Sequence, residues 1–168
     1  GSAISITSSV LGGTLPSARA AVVGLFSGLA QNPLDQQLGN PLAGQTNPPL
    51  DSTPFVGPTG LTSFGHELLV GLIGTEGPPE DEPGLWGNGF DPVGRIGTSG
   101  EDDLTNVTAS FGYKIVDVTG AFSATKTAIT PRYWAAGIAT LKASAQNSPP
   151  YCQAIHLATT EATLVESG

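Results

Sequence analysis

At 168 residues the chain is long enough for one domain with a real core, and a net charge of −8 with only six basic residues excludes a phosphate-neutralising nucleic-acid binder and disfavours an anionic membrane surface. Gly (23) and Pro (14) make up about a fifth of the chain, against roughly an eighth in an average protein, so many turns and short elements are expected. An apolar content of 39% with 12% charged residues excludes a wholly disordered chain, no apolar run is long enough to span a bilayer, and the single Cys152 excludes an internal disulfide framework.

Gly1-Ser2 reads as a scar of tag cleavage, and the lack of Met suits an excised domain or mature fragment. Residues 3–168 read as a single β-rich domain. Ala3 to Leu11, β-branched and rich in Ser and Thr, is expected to be a strand ended by Gly12-Gly13. Ala18 to Ala30 is open between a helix, with Val22, Phe26 and Leu29 on one stripe, and a strand over Ala20 to Phe26. Gln31 to Gly60 carries six prolines, which deny it regular ladders. It is expected to be a long ordered loop pinned by Leu34, Leu38, Leu42, Leu50 and Phe55. His66 to Ile73 is a compact apolar run between Gly65 and Gly74 and predicts a buried strand, with a helical alternative through Phe64, Leu68 and Leu72.

Glu76 to Asp103 holds eight of the fourteen acids against the lone Arg95. Its carboxylates are too many to bury unpaired, so an exposed, distal loop system that contacts a partner is expected. Glu80, Asp81, Glu82, Leu85, Trp86 and Phe90 are the contact candidates, the apolar three anchoring the loop from beneath or forming the centre of a contact. On this reading, residues 78–90 can be replaced by a short Gly/Ser loop without loss of the fold.

Leu104 to Lys142 organises the chain. Val107, Ala109, Phe111, Tyr113 and Ile115 are apolar at every second position, which predicts a strand near the centre of an antiparallel sheet. Thr108, Ser110, Gly112 and Lys114 form the other register, expected to face water. Phe122 to Ile129 is expected to return as the second arm of a hairpin. Thr130 to Gln146 reads as strand in preference to helix because its surroundings read as β, and Phe111 and Trp134 are expected in the core. Asn147 to Pro150 reads as a turn, and Tyr151 to Val165 as one or two final strands. The class expected is all-β: a single antiparallel barrel or sandwich with long Pro/Gly-rich loops and room for one or two short helices.

Catalytic signatures fail on spacing. Ser27 lies one place too late for a nucleophile elbow, and Asp117-Val118-Thr119-Gly120 has one residue too many for an aspartic-protease turn. On a strand, Cys152 and His156 are separated by about 13 Å, too far for an activated thiolate. No phosphate-binding glycine loop and no closed zinc site can be drawn, so no catalytic residue, cofactor or metal is assigned. Glu101, Asp102 and Asp103 could gather a divalent cation, though a solvated loop explains them as well. Asn106-Val107-Thr108 fits a glycosylation acceptor in a secretory chain alone.

In style the chain is β-rich, Gly/Ala/Thr/Pro-rich, Lys-poor and Met-free, with long ordered loops. In this it resembles the protruding surface domains of capsid proteins of small non-enveloped RNA viruses. The resemblance implies a virion-surface structural domain that forms dimers or trimers and presents loops to a host receptor or glycan, with no nucleic acid bound and no membrane insertion. Three other readings stand beside it. They are a secreted, extracellular carbohydrate-binding module with Trp86, Trp134 and Tyr133 as platforms, a small hydrolase with His66 or His156 as base, and a helical adaptor.

Overall fold

A computed structural model describes residues 18–40, 50, 52–82, 84–100, 105–127, 129–144 and 150–158. The expected strand at Ala3 to Leu11, Leu42 of the expected loop, residues 145–146 at the end of the expected strand from Thr130, residues 147–149 of the expected turn, the tail beyond 158 and the Glu101–Asp103 triplet lie outside them. The described elements are β1 (Ala21–Ser27), β2 (Leu29–Asn40), β3 (Phe55–Val56), β4 (Glu67–Glu76), a 3-10 turn at Pro79–Asp81, β5 (Asp91–Gly97), β6 (Val107–Val116), β7 (Ala124–Thr125), β8 (Trp134–Ala143) and β9 (Tyr151–Ala158). The chain is an antiparallel all-β domain, and the helical alternatives for 18–30, 64–73 and 130–146 give way to strands.

Five strands form the main sheet in the order β2-β8-β4-β6-β5. It does not close into a barrel: β2 and β5 are its edges. Both edges carry a proline at a break in register, Pro33 between Leu29 and Leu34 and Pro92 beside the shift to Gly94. A proline lacks the N–H that an interior strand must donate, so it is tolerated at an edge or a bulge. This corrects the expectation of a loop from Gln31: the prolines there do not forbid a ladder, and residues 31–40 are strand.

One face of the sheet is covered by a thin layer. β3 pairs with β7, and beyond it Trp86 bridges to Lys126. The backbone of Lys126 donates to Pro54 on one side, and Thr127 donates to Leu85 on the other. Beneath lies the main core of Val56, Leu69, Ile73, Phe90, Val116, Ala124, Trp134, Ala136 and Ile138. Trp134 is in the core as expected, and Phe111 is buried too. Phe122 to Ile129 is not the second arm of a hairpin with β6, whose partners are β4 and β5. The chain leaves the sheet instead, because Gly120 and Phe122 bond to Thr62 and Thr59 on the covering side.

The polar register of β6, expected to face water, is instead largely buried, while Phe111 of the apolar register is buried as expected. Thr108, Ser110 and Gly112 are buried under the covering layer, while Ile115 of the apolar register is exposed. Phe111 and Tyr113 point to the opposite face, where Phe26 of β1 lies against both, with ring centroids 6.1 and 5.5 Å apart. β6 is also one place off centre: β4 is the middle strand.

Phe26 reaches that face because a long two-stranded ribbon folds over. β2 runs beside β8, and the same chain segments continue as β1 beside β9. The fold falls at Gly28, whose φ of 81° is a left-handed conformation that glycine adopts without steric cost. The Ser144 N–H donates to the Gly28 carbonyl at 2.7 Å and ties the two arms at the bend.

Candidate functional site

The acidic loop is built into the covering layer. Its 3-10 turn at Pro79–Asp81 is fastened at Asp81, whose carboxylate accepts from Arg132 and whose carbonyl accepts from the Thr130 N–H at 2.8 Å. Glu82 follows, 1% exposed, and its carboxylate meets the Lys126 ammonium at 2.8 Å, itself 2% exposed. The Ser110 hydroxyl donates to the same Glu82 oxygen at 2.8 Å and accepts from Lys126 at 2.9 Å. Trp86 roofs the cluster, its ring centroid 5.8 Å from the Lys126 nitrogen. The indole lies flat on Gly71 and Gly112, a facing pair on β4 and β6. A Cβ on Gly112 would stand 2.6 Å from the ring, so the floor must be glycine.

Of the six contact candidates, the structure therefore leaves Glu80 and Leu85 at the surface, Leu85 at 76% exposure. Asp81 is half-buried and paired with Arg132, and Trp86 is half-buried against the core. Glu82 and Phe90 are buried and cannot meet a partner, which corrects their assignment. Through them the loop is tied to the fold, against the expectation that it is separable. Its charge argument took Arg95 as the only available cation. The cation that matters for Glu82 is Lys126, 44 residues away in sequence. The signal for it was slight: Lys126 directly follows the two-residue β7 and keeps its inward register, two places after the buried Ala124.

A cleft of about 290 Å³ runs beside this cluster, lined by Gly84, Trp86, Pro92, Gly94, Arg95, Ser110 and Lys126. A serine hydroxyl 2.9 Å from a lysine amine is the spacing of a nucleophile and its base. A base must be neutral, however. Burial pushes the Lys126 amine below the ordinary lysine range, while the Glu82 carboxylate favours its charged form. With its ammonium bound to Glu82, the lysine works as one half of an ion pair. His66 lies on the turn before β4, where its carbonyl accepts from the Ala143 N–H at 3.1 Å, and the side chain of His156 is not described. Among the described residues no group of three or more His, Cys, Asp or Glu is placed to hold a metal ion, and no helix is long and apolar enough to cross a membrane.

A second charged cluster ties the edge strand down. The Ser63 N–H and hydroxyl both donate to Asp35 of β2 at 2.6 Å, and the Phe64 N–H donates to Glu67 at 3.2 Å. Burial pushes the Glu67 carboxyl up, the Thr140 hydroxyl pulls it part of the way back, and Asp35 adds to the rise. Burial also pushes Asp35 up, but the two Ser63 donors, Glu67 and Lys142 outweigh it and leave Asp35 below the ordinary range. The raised Glu67 favours the fold fully below its unfolded pKa, and this is lost as pH rises through its folded value. The lowered Asp35 favours the fold above its unfolded pKa, and this is lost as pH falls through its folded value. Stability from this pair is therefore greatest near the ordinary carboxylate range, about pH 4. Urea midpoints between about pH 4 and pH 8 check this: Glu67→Gln should flatten the alkaline decline. An unchanged decline in that variant would remove Glu67 as its source.

The other candidate surface is the uncovered part of the sheet. The ribbon shields Phe111 and Tyr113 of β6 but leaves β2, β8 and β4 open on the same side. Val70, Leu72 and Gly74 of β4 lie opposite Ala139, Gly137 and Ala135 of β8. Gly39 of β2 lies opposite Gly137. Leu72 is 51% exposed and Leu34, further along β2, 49%. A shallow hollow of about 500 Å³ lies here, and none of the residues that line it is charged.

No family model matches the chain, and neither a curated protein nor a solved structure matches it. The fold and the surface define a class: an antiparallel β domain with a stapled loop layer on one face and an open, uncharged apolar strip on the other.

Proposed function

We propose that this chain is a non-enzymatic structural surface domain, of the kind that protrudes from the shell of a small non-enveloped RNA virus, where it mediates self-association and host attachment. The observation that carries the reading is the open face of β2, β8 and β4. A sheet face with half-exposed leucines around a hollow whose lining carries no charge is the kind of surface that marks a protein contact. The chain's functional chemistry then lies in surfaces and not in a reacting centre. Long loops held by specific hydrogen bonds suit the display of an attachment surface. Within the acidic loop, attachment narrows to Glu80 and Leu85, which are exposed.

The carbohydrate-module reading loses one of its three platforms, because Trp134 is buried, while Trp86 is half-buried on its glycine floor. The helical adaptor is removed by the strands.

The test of attachment is display of the domain at high density on beads, because single attachments are weak and many together are strong. Beads coated with the domain should bind host-cell surfaces or a glycan array, and Leu85→Asp should reduce that binding. Binding no greater than that of bare beads would overturn the attachment part of the proposal.

A further inference from the structure

We propose that the open strip on β4 and β8 is a two-fold contact with a second copy of this chain, in which Leu72 of each copy seats over Gly137 of the other. The inference rests on the self-association reading above and says where and how the copies meet.

The register carries the argument. Leu72 and Gly137 are directly opposite each other across the β4–β8 seam, as are Val70 and Ala139, and Gly74 and Ala135. A two-fold axis parallel to the strands and above that seam lays each β4 on the partner's β8. Within the hollow, both large residues of β4 then fall on small ones, Leu72 on Gly137 and Val70 on Ala139; the next facing pair, Leu68 and Leu141, lies outside it, with Leu68 buried. The strip is complementary to itself, which is what an isologous contact requires. Two sheets related in this way pack with their strands nearly aligned, as sheet faces do.

The glycines point the same way. On the covered face, the facing pair Gly71 and Gly112 is filled by the Trp86 ring. On the open face, none of the described residues fills the facing pair Gly39 and Gly137. A Cβ at Gly39 or Gly137 would meet only backbone oxygens at 4.0 and 3.8 Å, and one at Gly74 would meet nothing within 4 Å. None of the three has a positive φ. Glycine within a strand weakens it, so three glycines that the fold itself does not require suit the close approach of another chain.

Two copies that each carry −8 repel, and this strip, with no ionisable residue in its lining, is where that repulsion opposes contact least; the self-complementary register, not charge, names the occupant. Three strands, each about seven residues long, offer on the order of 300 Å² of sheet face. That is well below the roughly 800 Å² per partner of a stable complex, so the pair forms in a concentration-dependent way.

The experiment is sedimentation velocity on the whole chain over a concentration series, with the wild type, Gly137→Val and Leu72→Asp. The wild type should shift from monomer to dimer as concentration rises. Both variants should weaken dimerisation at least tenfold. Gly137→Val should also raise the thermal midpoint of the monomer by about 2–4 °C, because it replaces a strand glycine into open space. A wild type that dimerises while both variants dimerise equally well overturns the strip but leaves self-association standing elsewhere. A wild type that stays monomeric throughout overturns self-association itself. A lowered midpoint in Gly137→Val shows that a segment of the same chain occupies the hollow, and it overturns the proposal as well.

Discussion

Lys126→Met is expected to destabilise the domain by about 3–5 kcal/mol, the usual cost of breaking a buried ion pair from one side. The ammonium binds both the Glu82 carboxylate and the Ser110 hydroxyl, and neither has water to turn to. Removing it leaves a carboxylate in a closed site. The loss should vary little with added salt, because a buried pair is poorly screened. The double variant Lys126→Met/Glu82→Leu should recover most of the loss, since the uncompensated charge goes with its partner. Urea denaturation of the two variants measures both effects. A loss below about 1 kcal/mol for Lys126→Met would place the pair in contact with water.

Replacing residues 78–90 with a short Gly/Ser loop is expected to unfold the domain. The exchange strips Trp86 and Phe90 from the covered face, and truncating each ring to Ala costs about 3–5 kcal/mol where it is buried. It also leaves Lys126 charged and without Glu82. Together these exceed much of the roughly 5–15 kcal/mol that holds a domain folded. Leu85→Ser in the same loop should cost no more than about 0.5 kcal/mol, because its side chain is in water. Loss of the near-ultraviolet circular dichroism signal and of cooperative unfolding would register the collapse. A replaced loop that still unfolds cooperatively at the wild-type midpoint would detach the acidic loop from the core.

The all-β class was legible because the strands announce themselves by alternation and by glycine boundaries, as at Glu67–Glu76, Val107–Val116 and Trp134–Ala143. Which side of β6 faces inward was not. Alternation marks Phe111 and Tyr113 as one face but does not say which face the deeper layer covers. The polar register is buried because its partners come from far along the chain: Glu82 is 28 residues from Ser110, and Lys126 is 16. A buried charge is invisible to a local reading when its counter-charge is distant. Pro33 misled for a similar reason, since proline forbids an interior strand but not an edge, and edge position depends on the whole sheet. Nor could the open strip be found in the sequence. Leu72 and Gly137 are ordinary residues in separate strands until the register of β4 on β8 sets them side by side.

The folded ribbon also bears on how the chain is made. β1 and β2 leave the ribosome early, but their partners β9 and β8 lie roughly a hundred residues or more downstream, which at ordinary synthesis rates is about 5–20 s later. Throughout that interval Leu25, Phe26, Leu34 and Leu38 are on strands with no ladder to join. The domain therefore cannot complete its main sheet progressively from the N-terminus. The nascent chain carries an unpaired, partly apolar segment until β8 and β9 have been synthesised, and this is the stage at which a chaperone or a neighbouring nascent copy would meet it.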